Sequence, residues 1–252
     1  MNRWNLLLLI SALLIFSPAS FSEKSASAKY VEAKSLNLKV LLKTKKDWHV
    51  SAYQSPEAKD EPGAGGAAKV CFWTDKTKKE SGCEFINSAN EFDPSTTYPH
   101  QNVSRLETVK LDKSRTGVLL SAEFSGGGSG LLVRQQLWTY SPKQDSFDET
   151  LKLNMTEQGE AKFISTGPLA GYLVTADAYW QLGESHFEPH RFSIDVYKYN
   201  NNDPGSYIKI LSYITAKKYP SLDEGNINVV SPELAATIGK LKAVYGPKLS
   251  PI

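Results

Sequence analysis

The chain has 252 residues, 40% hydrophobic and 22% charged, and its 29 Lys and Arg against 27 Asp and Glu leave a net charge of +2. A balance this close to neutral, with the basic residues scattered, excludes the long-range attraction to nucleic acid or anionic lipid that a basic face supplies. The local basic runs KTKK at 43–46 and 76–79 read as solvated loops.

In chain order, the first element reads as a leader. Arg3 precedes an apolar run of 11 residues, Leu6 to Phe16, broken only by Ser11. That is short of the roughly 20 residues that span a bilayer and fits the hydrophobic region of a secretory signal. Small residues follow, and cleavage is expected after Ser22, with no cysteine beside the junction to take a lipid. The remaining residues hold no second run of spanning length, so a soluble mature protein, periplasmic or secreted, is expected, with no stable membrane span. Residues 23–66 read as an N-terminal arm and flexible linker. The arm contains a strand at 48–54, where Trp48, Val50 and Ala52 alternate with polar residues, and the linker is the Pro- and Gly-rich stretch 55–69.

From 67 onward an all-β domain is expected. The chain has two cysteines, Cys71 and Cys83. They sit in strand-like segments on either side of a polar turn, and an exported protein would join them as a disulfide across a hairpin. The spacing is too wide for a redox-active C-x-x-C pair. Two longer segments then resemble each other in pattern. One starts at Gly117 (GVLLSAEF) and the other at Gly171 (GYLVTADAYW), an offset of 171 − 117 = 54 residues. A weaker third copy starts near Ala67. A period near 50 with several strands per unit suggests blade-like antiparallel modules. Three units fall short of the four or so blades of a closed ring. A partial propeller, a homo-oligomer completing the ring, or a sandwich are the forms left open. The tail closes with a helix: Ser231 as N-cap, Pro232 at its first position, an apolar stripe of Leu234, Ile238, Leu241 and Tyr245, and a stop at Gly246-Pro247.

The stretch YWQLGESHFEPHRF, 179–192, stands out. His186, Glu188 and His190 fall at alternate positions, which on an extended strand share one face and could hold a divalent metal with an open position for water. Pro189 and Gly183 argue against a regular strand, and no HExxH helix is present. The structural alternative is a long hairpin connector whose histidines bond to loop carbonyls. Asp177, Tyr179, Trp180 and Glu184 form the adjoining ligand-binding set, with Tyr179 and Trp180 suited to stacking on a sugar or peptide. The glycine-rich SGGGSG at 125–130 occupies the matching place in the other unit; apolar residues follow it, so it is a hairpin connector rather than a phosphate loop. The other aromatic residues read as core and cross-strand pairs, and His49 and His100 are isolated. Two functions compete. One is a non-catalytic exported protein binding a small ligand, a glycan or an envelope protein through the 181–191 connector. The other is a metal-assisted hydrolase using His186, Glu188 and His190, with Glu184 or Asp177 as base.

Overall fold

The computed structural model describes residues 30–60, 65–75, 77, 82–89, 95–125, 130–185, 187–200, 205–220 and 227–247. The expected leader, His186 and residues 126–129 of the glycine-rich connector lie outside them.

Short runs of β-branched and aromatic residues between turn residues give a mainly β chain. Three four-stranded antiparallel sheets carry it, each with its strands adjacent in chain order. The first holds β1 (Val31–Asn37), β2 (His49–Gln54), β3 (Lys69–Trp73) and β4 (Cys83–Phe85), with the short helices α1 (Leu38–Leu42) and α2 (Glu57–Asp60) in its connections. A ribbon of β5 (Asn87–Ala89) and β6 (Thr97–Pro99) leads to the central sheet of β7 (Asn102–Lys110), β8 (Thr116–Ser125), β9 (Leu131–Ser141) and β10 (Ser146–Thr156). The third sheet holds β11 (Glu160–Phe163), β12 (Tyr172–Tyr179), β13 (Arg191–Asn200) and β14 (Ser206–Ile214), and the C-terminal helix α3 (Val230–Tyr245) follows. Each order is linear, and no sheet closes into a barrel.

The three sheets and the helix stack in layers, and the alternation of side chains shows how. On β8, Val118, Leu120 and Ala122 pack with Val50, Ala52 and Val70 of the first sheet. Their neighbour Leu119 points the other way, into a cluster with Leu137, Leu173 and Tyr207 between the central and third sheets. On β12 and β13, Val174, Ala176, Phe192, Ile194 and Val196 pack under Leu241 and Val230 of α3. The unbroken apolar pairs after Gly117 and Gly171 thus belong to strands covered on both faces.

Residues 31–54, expected as an arm, supply β1 and β2 of the first sheet, and β2 pairs with β3 from His49↔Trp73 to Tyr53↔Lys69. The Pro- and Gly-rich stretch after it is therefore a connection within one sheet. Gly117 lies in β8 and Gly171 directly precedes β12, each the second strand of its sheet, whereas Ala67 precedes a third strand. Cys71 and Cys83 stand directly opposite on β3 and β4 and are joined as a disulfide.

The C-terminal helix starts before Ser231. Its first amides, of Val229 and Val230, donate to a carboxylate oxygen of Glu160 on β11 at 2.7 and 2.9 Å, so a side chain from another element does the work expected of a local N-cap. Its buried line is also rotated, to Val230, Glu233, Thr237 and Leu241. The polar members are admitted because the Tyr213 hydroxyl bonds both Glu233 and Thr237, and the Tyr219 hydroxyl donates to Glu233.

Candidate functional site

The 180–190 connector joins β12 to β13 and is tied at its base. The Glu184 carboxylate accepts from the Gln181 amide at 3.0 Å, pairs with Lys218 at 2.7 Å and lies 3.4 Å from His190 Nδ1. Lys218 first, then the Gln181 amide, hold the Glu184 carboxyl down at about 2. His190 is fully buried, exchanges backbone hydrogen bonds with Tyr219, and carries the Trp180 ring at 3.9 Å. Two members of the expected constellation, Glu184 and His190, thus meet each other, with Trp180 against the imidazole. Glu188 is exposed, and His186 lies outside the described residues. Among the described residues no three His, Cys, Asp or Glu side chains gather as a metal ion would require.

Asp177 belongs to the other face of the third sheet. Its carboxylate accepts from the Thr156 hydroxyl and amide on β10 and from the Ala178 amide. Burial is the largest influence on it and raises its pKa. By the alternation of β12, Tyr179 shares the face of Asp177, whereas Trp180, just past the strand, packs on His190 with Glu184 beside it, so the four residues expected to form one ligand set divide into two pairs.

The isolated histidines are fixed parts of the framework. His49 stacks on Trp73 at 4.3 Å. His100 is fully buried; its Nδ1 contacts the Ala122 carbonyl at 3.1 Å and its Nε2 the Ser88 hydroxyl at 2.9 Å. Since a carbonyl can only accept, Nδ1 carries the proton and Nε2 accepts from Ser88. Burial holds the neutral form, and the pKa falls to about 4.

A cleft of about 490 Å³ opens where all three sheets meet. Leu41, Leu42 and Lys43 come from α1 and its cap, Ser114, Arg115 and Thr116 from the β7–β8 turn, Thr139, Tyr140 and Pro142 from the end of β9, and Tyr199 from the end of β13. Asp112 builds the turn: its Oδ1 accepts from the amides of Ser114 and Arg115 at 2.7 Å, and its Oδ2 accepts from Arg115 Nε. The Arg115 guanidinium lies against the Tyr199 ring, 3.9 Å from its centroid. Tyr140 is held by the Asp145 carboxylate at 2.6 Å, which also accepts from Trp48 Nε1 and pairs with Lys46. The Tyr140 hydroxyl is the largest of the influences that keep Asp145 at about 2. This network fastens the first sheet to the central one along one wall of the cleft.

The chain matches no protein-family model, no curated protein and no solved structure.

Its chemistry therefore rests on its own side chains. Among the described residues the cleft lining holds two cations, two phenols and three hydroxyls, and no carboxylate or histidine. That set can bind and orient a ligand. None of these residues stood out in the sequence, because Ser114-Arg115 reads as an ordinary turn and Tyr199 as one aromatic among many. The signal that was present is Asp112 followed by Ser114, an Asx-turn pattern at a strand end.

Proposed function

We propose that this is an exported, non-catalytic protein of the periplasm or cell envelope that binds a small ligand in the cleft between its three sheets. What carries the reading is the cleft itself. It is within the usual range for small-molecule sites, and it joins apolar wall with a few fixed polar groups. The connector at 180–190 gives less support to a binding role, since its charged side chain Glu184 is spent on Lys218, His190 and the Gln181 amide. The leader-like first residues and the joined Cys71–Cys83 pair support export to an oxidising compartment.

Cell fractionation checks the first half: the mature chain belongs in the periplasmic or secreted fraction, with both cysteines protected from alkylation until reduced. A small-molecule screen by thermal shift, with hits mapped by backbone amide shifts, checks the second. Hits should converge on Thr116, Thr139 and Tyr140. Convergence on 181–191 instead would return the binding role to the connector.

A further inference from the structure

We propose that the ligand is an organic anion whose carboxylate or phosphoryl group binds the outer edge of the Arg115 guanidinium. This rests on the cleft being the ligand site. Asp112 takes only Nε of Arg115; Nη1 and Nη2 are buried and have no hydrogen-bond partner among the described residues. A buried guanidinium with its outer donors unmet is costly, and a planar two-oxygen acid group satisfies both at once. Asp112 does not take that place, because its own oxygens already serve the Ser114 amide and hydroxyl and the Arg115 amide. Tyr199 covers the face of the guanidinium, which leaves its edge as the direction of approach. Neither Nη atom touches bulk solvent, so binding includes a small side-chain shift. The buried Tyr207 hydroxyl, also without a partner among the described residues, lies within the field of Arg115.

A second cation reaches the cleft from the first sheet. Lys43 is exposed and caps α1 at φ 53°, a left-handed conformation that glycine adopts without strain and lysine does not. Strained backbone at a cleft is a feature of binding sites. Asp112 partly offsets the charge of Arg115, so Lys43 adds the second positive charge that an acid group would meet at the cleft. Leu41, Leu42, Pro142 and Tyr140 add apolar and aromatic surface, which an inorganic ion would leave unused. Hence the anion is an organic one.

The test is a titration of the full oxidised protein, followed by its amide spectrum, with three matched probes: 3-phenylpropionate, phenyl phosphate and the neutral 3-phenylpropanamide. The acids should shift Thr116, Thr139 and Tyr140 and bind about tenfold or more tightly than the amide, the worth of a charge-assisted contact. Whichever acid binds more tightly identifies the source as carboxylate or phosphoryl. Arg115→Gln should abolish the preference, and Lys43→Gln, at an exposed position, should weaken the acids several-fold. If the amide binds as well as the acids and shifts the same residues, the anion inference fails and the cleft survives as a ligand site. The same holds if neither substitution changes acid binding. If no probe shifts those amides at millimolar concentration, both readings fall. Should Arg115→Gln not fold, the acid–amide comparison and Lys43→Gln still decide.

Discussion

The two ends of β13 carry two polar regions, the 180–190 connector and the cleft, and they use their charged groups differently. At Arg191 the strand emerges from the 180–190 connector, where Glu184 is paired with Lys218 and His190 and the imidazole is packed under Trp180. Toward Asn200, on the order of 30 Å away at ordinary strand rise, Tyr199 lies on an arginine whose outer nitrogens bond nothing among the described residues. The connector is conspicuous in the sequence and its Glu184 carboxylate is paired, while the buried His190 Nε2 has no hydrogen-bond partner among the described residues. The cleft is inconspicuous and holds unspent hydrogen-bonding capacity. The two regions differ in what is left over: one ring nitrogen of His190, packed with Trp180, at the connector, and two donors of a charged guanidinium at the cleft.

That contrast can be broken in several ways. The largest expected effect is on acid stability and belongs to neither region. The pKa of His100 is about 4 folded, against about 6.5 for a free histidine. As pH falls below 6.5 the unfolded chain takes up a proton that the folded protein refuses. Stability is therefore complete above 6.5 and declines toward pH 4, by on the order of 3 kcal/mol at most. Denaturant midpoints measured against pH should show this decline, and His100→Gln should remove it. Glu184 and Asp145, both held at about 2, stay ionised across that window and contribute to acid unfolding only below their unfolded values near 4. A decline that survives His100→Gln would assign the acid sensitivity elsewhere.

Next in size, His190→Ala removes a buried ring and its contact with Trp180, and should cost about 2 kcal/mol by chemical denaturation. Acid binding at the cleft should be unchanged. A loss of binding there would mean that the two ends of β13 are coupled. The reverse pattern is expected of Lys43→Gly. Relief of the left-handed backbone should stabilise the fold by up to about 1 kcal/mol, while the lost cation weakens acid binding. If both quantities stay constant, Lys43 serves neither the strain nor the site. The smallest effect is Glu188→Ala, an exposed position, expected within about 0.5 kcal/mol of the parent. Metal analysis of that variant and of the parent should give equal content; a stoichiometric metal lost on substitution would revive the alternating His186, Glu188 and His190 set.

Much of the antiparallel strand content was legible in the sequence. Alternation at Val50 and Ala52 marked β2, the apolar pairs after Gly117 and Gly171 marked strands, and the polar turn between Cys71 and Cys83 marked a bridged hairpin. The membership of β1 and β2 was hidden, because a Pro- and Gly-rich connection looks the same whether it separates domains or joins strands. Ser231 as N-cap followed a sound local rule that Glu160, 69 residues before Val229, overrode.

By itself the sequence determined periodicity: which residues alternate, where turns fall, which cysteines can meet. These follow from neighbouring residues and the fixed geometry of a strand. Only the tertiary structure decided which polar groups are spent and which are left over. Arg115 is poised because Asp112 takes just one of its nitrogens while Tyr199, from a different sheet, screens its face. Hydrogen-bond satisfaction is settled between residues far apart in the chain, and no local pattern carries it.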